Sequence, residues 1–128
     1  MGKQELGKKG EELAEAYLRN RGCRILARNW SFRSVKSGKL LGEVDLIAQR
    51  GGDTIFVEVK AGRRSEAAFR PEIHVSRAKL QKIRQTAQRW LAIQGRSDTP
   101  WQVDVIAIDF FKESDPPRLR HIPRVVIE

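Results

Sequence analysis

Glu43, Asp45, Glu58 and Lys60 are the residues of this 128-residue chain whose types and spacing could do chemistry. All four sit in β-rich runs that are otherwise apolar, Gly42-Glu-Val-Asp-Leu-Ile-Ala48 and Ile55-Phe-Val-Glu-Val-Lys60. Charge is expensive there, because an unpaired buried ion costs several kcal/mol or changes its protonation. Gly51-Gly52 lies between the runs and signals a tight hairpin, since both positions can take positive φ. A turn centred there pairs Ala48 with Ile55, Leu46 with Val57 and Val44 with Val59, which makes one face wholly apolar. The other face pairs Ile47 with Phe56, Asp45 with Glu58 and Glu43 with Lys60. Directly opposed side chains lie roughly 4.5–5.5 Å apart at Cβ, and like charges so placed destabilise a sheet. Lys60 or a divalent cation must offset Asp45 against Glu58. A hard ion such as Mg²⁺ takes one or two carboxylates, several waters and a substrate phosphate. The patch therefore has the composition of a metal site, with Glu43 either a second ligand or the partner of Lys60. The plainer alternative is a structural ion cluster left in a sheet.

The surrounding elements can be read from periodicity. Residues 3–21 carry Leu6, Gly10, Leu13, Tyr17 and Leu18 at helical spacing, and Gly22 follows where a helix stops. Cys23 to Trp30 reads as a strand and Ser31 to Lys39 as a polar, basic loop. The hairpin comes next. Ala61 to Val75 is expected to be irregular, because Pro71 opposes regular structure. Ser76 can cap a second helix running to about Gln94, with Leu80, Ile83, Ala87 and Leu91 as its apolar stripe. After the break at Asp98-Thr-Pro100, Gln102 to Asp109 reads as a strand and Asp115-Pro-Pro117 as a turn. Leu119 to Ile127 reads as a last edge strand, since Pro123 cannot complete a ladder. The order is αβββαββ, an α/β chain read as a single domain over 1–128, without internal repeat or linker.

Asp45 followed by Glu58-Val-Lys60 resembles the PD-(D/E)XK signature of restriction-endonuclease-like nucleases, with Val44 where the proline of that name would stand. The resemblance is closer to the small YraN-like family of predicted endonucleases, itself similar to archaeal Holliday-junction resolvases. It is carried by Gly7-Lys-Lys-Gly10-Glu11, Arg28-Asn29, Gly42-Glu-Val-Asp45-Leu-Ile-Ala48 and Phe56-Val-Glu58-Val-Lys60, and spans roughly residues 5 to 110. It implies a restriction-endonuclease-like core, a mixed central sheet flanked by helices. It also implies that Glu11 points at the site as a catalytic residue and metal ligand; Glu12 is its rival, because one of the two must face away.

The charge distribution agrees with a polyanionic partner. Of a net +9, residues 19–42 hold seven basic side chains and no acidic ones, and residues 61–96 hold nine basic and two acidic. Two basic segments thus flank an acidic strand patch, as a phosphodiesterase needs. Arg77, Lys79 and Lys82 on the second helix and Arg33 and Lys36 in the polar loop are the candidate phosphate contacts, with an ordinary solvated face as the alternative. No apolar run approaches the ~20 residues that span a bilayer, and no segment combines a strong apolar face with this charge. One cysteine, Cys23, forms no internal disulfide and fits a reducing cytoplasm as a small hydrophobe. Two distant histidines give no zinc-ligand spacing; His74 is near the site in sequence and His121 is near nothing suggestive. No Walker motif or serine nucleophile appears. Trp30, Trp90 and Trp101 suit packing better than base stacking.

The mechanism expected is metal-assisted hydrolysis of a DNA phosphodiester. Asp45, Glu58 and the backbone carbonyl of Val59 would hold one Mg²⁺ or Mn²⁺, which lowers the pKa of a bound water. Lys60 would orient that water or stabilise developing negative charge, the second being chemically easier for an ammonium beside carboxylates. A homodimer would let two strands be cut symmetrically. The rival is a catalytically silent nucleic-acid-binding module of the same fold, acting as a partner subunit.

Overall fold

The computed structural model describes residues 2–63, 75–112 and 115–126. Pro71 and His74 lie outside them. The order is α1 (Lys3–Asn20), β1 (Arg24–Arg33), β2 (Leu40–Arg50), β3 (Asp53–Arg63), α2 (Arg77–Ile93), β4 (Trp101–Phe110) and β5 (Arg118–Ile122). This is the αβββαββ order read from the sequence.

Both helices start and stop where local chemistry directs. In α1, Leu6, Gly10, Ala14 and Leu18 recur every four residues and form the buried stripe. Its end is a Schellman arrangement: Gly22 takes φ +86°, its N–H donates to the Arg19 carbonyl, and the Cys23 N–H donates to the Leu18 carbonyl at 3.0 Å. Ser76 caps α2 by accepting from the Lys79 N–H at 3.1 Å. Gly95 at φ +67° closes that helix in the same way, with the Arg96 N–H reaching the Leu91 carbonyl.

The five strands form one sheet in the order β1-β2-β3-β4-β5. β1, β2 and β3 make an antiparallel meander, β3 and β4 run parallel, and β5 pairs antiparallel with β4 at the edge. A parallel pair needs a crossover, and α2 supplies it. The β2–β3 turn is the tight hairpin expected, with Arg50 opposite Asp53. Gly51 alone takes positive φ, as at the first central position of a type II′ turn.

Helices cover both faces. Leu6, Leu18, Leu46, Val57, Ile106 and Ile108 pack between α1 and the sheet. Ile47, Phe56, Ile83, Trp90, Leu91 and Val103 pack between α2 and the opposite face. Phe56 is fully buried and meets Trp90 and Trp101 edge-on, so its truncation to Ala would cost about 3–5 kcal/mol. Trp90 and Trp101 are thus packing residues.

Several boundaries differ from expectation. β1 runs on to Arg33, so Ser31–Arg33 pair with Glu43, Gly42 and Leu40 rather than entering a loop. The alternating Trp30 and Phe32 rings stack at 6.1 Å and extend the strand pattern there. β3 continues through Ala61–Arg63, because β4 offers it a parallel ladder up to Phe110. β5 stops at Ile122, before Pro123.

The feature that matters for function is a fork in the sheet. The β2–β3 ladder follows the expected register from Arg50/Asp53 to Leu46/Val57 and ends there. Beyond it, β2 stays with β1 while β3 stays with β4. The expected pairs Val44/Val59, Asp45/Glu58 and Glu43/Lys60 therefore do not form. Side-chain alternation also breaks at the fork, because Val44 packs with Ile47 on the α2 side and not with Leu46 on the α1 side.

Candidate active site

The fork is held open by a side chain doing the work of a strand. Asp45 Oδ2 accepts a hydrogen bond from the Val59 backbone N–H at 2.7 Å, where a β2 carbonyl would otherwise sit. A residue's N–H and C=O leave a strand on the same side, so the Val59 carbonyl also faces the gap, beyond the end of the β2–β3 ladder. Burial pushes the Asp45 carboxyl above its ordinary range; the Val59 N–H opposes this, and the charge of Glu43 adds to it.

Glu58 lies on the next position of β3. Burial, then the charge of Asp45, push its pKa up to about 7, against the pull of Lys79 and Lys60. Lys79 Nζ stands 3.6 Å from Glu58 Oε1, reaching across from the first turn of α2. Lys79, a candidate phosphate contact, stands beside the carboxylate cluster in this structure. Lys60 is exposed on the same strand, close enough for its charge to be felt at Glu58.

Glu11 enters from α1. Burial raises its pKa, the charges of Asp45 and Glu43 raise it further, and a hydrogen bond with Asn29 partly offsets them. Glu12 is exposed. Of the two, Glu11 is the one that faces the fork. Two local features place it. A Cβ built on Gly10 would lie 2.5 Å from the Cβ of Ala61, so only glycine lets α1 come this close to β3. Asn29, in the middle of β1, takes φ +48°, a left-handed conformation in which Asn is among the few tolerated non-glycine residues. One turn along α1, Arg28 clasps Glu15 with its Nε and with Nη2 at 2.9 Å, which lowers the Glu15 pKa and ties β1 to the helix. Glu43 is exposed and acts on the site through its charge on Asp45 and Glu11.

The structure thus brings Glu11, Glu43, Asp45, Glu58 and Val59 to the fork, with Lys60 and Lys79 as neighbouring cations. Arg77 and Lys82 are exposed on α2. Lys36 is exposed in the β1–β2 connection, and Arg33 donates to the Gly38 carbonyl at 3.0 Å. Asn29 is the site residue whose role the sequence did not disclose; its place beside Arg28 in the family motif was the available signal.

The donor set suits a hard divalent ion: two carboxylates and a carbonyl, all oxygen, around a gap where negative charge is under-compensated. Among the described residues, no three Asp, Glu, His or Cys side chains gather closely enough to hold a metal by themselves.

A mixed five-stranded sheet between two helices, carrying these acidic residues at its fork, is the α/β core of restriction-endonuclease-like proteins. The chain belongs to the Uncharacterised protein family UPF0102, whose sequence pattern matches residues 10–108, and which is the YraN-like family of predicted endonucleases. It is 34% identical to a UPF0102 protein of Roseiflexus castenholzii over 124 residues, 96% of this chain and 94% of that one. A Nocardia farcinica UPF0102 protein is 45% identical over 109 residues, 83% and 77% of the two chains. A third, from Geobacter sulfurreducens, is 39% identical over 117 residues, 91% and 84%. No helix among the described residues is long and apolar enough to cross a membrane.

Proposed function

We propose that this chain is a Mg²⁺- or Mn²⁺-dependent endonuclease that cuts DNA phosphodiesters at the fork between β2 and β3. The observation that carries the reading is the Asp45–Val59 clasp beside Glu58. It sets two carboxylates with elevated pKa, and a carbonyl, at one opening in an otherwise apolar sheet.

Asp45, Glu58 and the Val59 carbonyl would hold the metal, with Glu11 reaching it directly or through water. The bound ion would supply Lewis-acid polarisation of the scissile phosphate and a water of lowered pKa. The chain's own residues do the rest. Lys79 offsets the charge of Glu58 across 3.6 Å, a place the ion would share. Lys60, on the same strand as Glu58, stabilises negative charge developing on the phosphate. Asn29 orients Glu11. The exposed cations Arg77, Lys82, Arg33 and Lys36 hold the DNA backbone by charge, which positions a strand without reading its sequence.

The test is incubation of the purified protein with labelled single-stranded, duplex and four-way-junction DNA in Mg²⁺, Mn²⁺ or EDTA, beside Asp45→Ala and Lys60→Ala. Metal-dependent cutting lost in both variants is expected. Binding without cutting, unchanged by either substitution, would instead make the chain a silent module serving a partner subunit.

A further inference from the structure

At the end of the sheet away from the fork, the β2–β3 hairpin, the C-terminal end of α1 and the segment after β5 border a cavity of about 260 Å³. Arg21, Arg50 and Arg124 line it, one from each of these elements. Within the described residues, the side chains of Arg50 and Arg124 make no hydrogen bond or ion pair. Arg21 does no more than lie over the Tyr17 ring, 5.3 Å from its centre. Three arginines from three different elements therefore line one concavity, and a local excess of positive charge there favours an anion.

The carboxylates at the cavity do not serve these guanidiniums. Asp104 is 1% exposed and already accepts from Gln102 Nε2 at 2.9 Å, His121 Nε2 at 2.8 Å and the Arg124 backbone N–H at 3.0 Å. His121 is held from its other nitrogen by the Tyr17 hydroxyl at 2.8 Å. Asp53 lies opposite Arg50 in the hairpin register, yet no ion pair between them is formed. His121, which seemed isolated in the sequence, is thus one link of a part-buried Tyr17–His121–Asp104 chain whose His121 and Asp104 line the cavity.

A backbone feature points the same way by an independent route. Arg124 takes φ +52°, a conformation that arginine rarely adopts. Such strain persists where the surroundings over-determine it, and it clusters at ligand clamps. Asp104 imposes it here through the Arg124 N–H, on a residue whose side chain lines the cavity.

We propose that this cavity binds a terminal phosphate monoester, clamped by Arg21, Arg50 and Arg124. Guanidinium groups match phosphate oxygens in bidentate pairs, and a dianion is what offsets several of them. The cavity has room for more than a bare phosphate, and Leu18, Ile55 and Cys23 give it an apolar part. Burial pushes the Cys23 thiol up, so it is a packing surface and not a nucleophile. Two sources share this chemistry, a free mononucleotide and the 5′-phosphorylated end of a strand.

The experiment is isothermal titration of the full chain carrying Asp45→Ala, in EDTA, so that neither metal nor cutting enters. Failure of the nuclease reading then leaves this result intact, and the reverse. The probes are inorganic phosphate, dAMP, and a short oligonucleotide with a 5′-phosphate or a 5′-hydroxyl. Inorganic phosphate and dAMP are expected to bind at one site, and Arg50→Gln or Arg124→Gln to weaken dAMP about tenfold each, the loss of one charge-assisted hydrogen bond. Arg50 is exposed on a hairpin, so its variant reports even if Arg124→Gln disturbs the terminal segment. A 5′-phosphorylated oligonucleotide binding about tenfold tighter than its 5′-hydroxyl twin would identify the strand end as the source. Equal binding of the two oligonucleotides with tight dAMP would identify the free nucleotide. Absence of heat with both phosphate and dAMP, or affinities indifferent to Arg50→Gln, would overturn the site.

Discussion

Glu58 shows how a single ionisable side chain reports on the whole fork. Its pKa rises from 4.5 to about 7 because burial and Asp45 disfavour its charge more than Lys79 and Lys60 favour it. The linkage sign follows. A group whose pKa is raised on folding contributes stability that is complete below its unfolded value and is lost as pH rises through its folded value. The metal-free protein should therefore melt at a lower temperature at pH 8 than at pH 5, with the loss spread across the interval from 4.5 to about 7. A divalent cation restores the charged form, so added Mg²⁺ or Mn²⁺ should raise the melting temperature more at pH 8 than at pH 5. Glu58→Gln should flatten the pH profile and abolish the metal gain. Thermal melts over this grid decide it, and a metal gain that survives Glu58→Gln would place the ion elsewhere. At this scale the sequence was informative where charge interrupts an apolar run, which is how Asp45, Glu58 and Lys60 stand out. It was silent on Asn29, because a left-handed residue in a strand leaves no mark in hydrophobic periodicity. A second expectation concerns that residue. Asn29→Gly relieves the backbone but loses the hydrogen bond to Glu11, whereas Asn29→Ala loses the bond and keeps a conformation that costs alanine about 1–2 kcal/mol. The glycine variant should melt above the alanine variant while both lose cutting activity. Equal melting would mean that the strand relaxes when Asn29 is replaced.

Among the elements, the seat of α1 on β3 is the contact that sets the site's third carboxylate. Gly10 and Ala61 face each other so closely that a methyl on Gly10 has nowhere to go: both Cβ atoms are rigid and 2.5 Å is far inside contact distance. Gly10→Ala gains up to about 1 kcal/mol of helix propensity. It must also lift the helix off the strand, an overpacking cost of about 1–3 kcal/mol. The expected net result is destabilisation, with cutting reduced more than stability because Glu11 moves with the helix. Ala61→Gly should restore much of both in the double variant, since it removes the other half of the clash. A single variant with unchanged activity would show that the position of Glu11 does not matter. Element order was legible because each helix carries a four-residue apolar spacing and a glycine stop. Ends were less legible where strands lean on one another. Ser31–Arg33 look like a polar loop, yet β2 offers them a ladder; Ala61–Arg63 look irregular, yet β4 holds them. Partner strands distant in sequence decide such cases, and local composition cannot report them.

For the molecule as a whole, the hairpin register was right up to Leu46/Val57 and failed one step later, and that failure is where the candidate site lies. A hairpin extrapolated from its turn assumes that pairing continues. Here Asp45 takes the Val59 N–H, β2 leaves with β1, β3 leaves with β4, and the acidic residues are set in an opening instead of being opposed across a ladder. The same separation divides the net charge of +9 into tasks. The fork is locally acidic and, in the function proposed, would bind a cation, while the exposed cations of α2 and of the β1–β2 connection would face a polyanion. These two roles respond differently to salt. Each phosphate neutralised by the protein contributes about −0.9 to the slope of log K against log salt on duplex DNA. Arg77→Ala and Lys82→Ala should each make that slope shallower by about 1 and weaken binding uniformly across sequences. Asp45→Ala should leave the slope unchanged while abolishing cutting, because in the function proposed it removes a metal ligand and no phosphate contact. Fluorescence anisotropy on labelled duplex DNA from 50 to about 300 mM salt reads these slopes directly. If Arg77→Ala and Lys82→Ala leave the slope alone, the DNA path does not cross α2. The backbone contacts would then lie on the β1–β2 connection around Arg33 and Lys36, on the other arm of the fork.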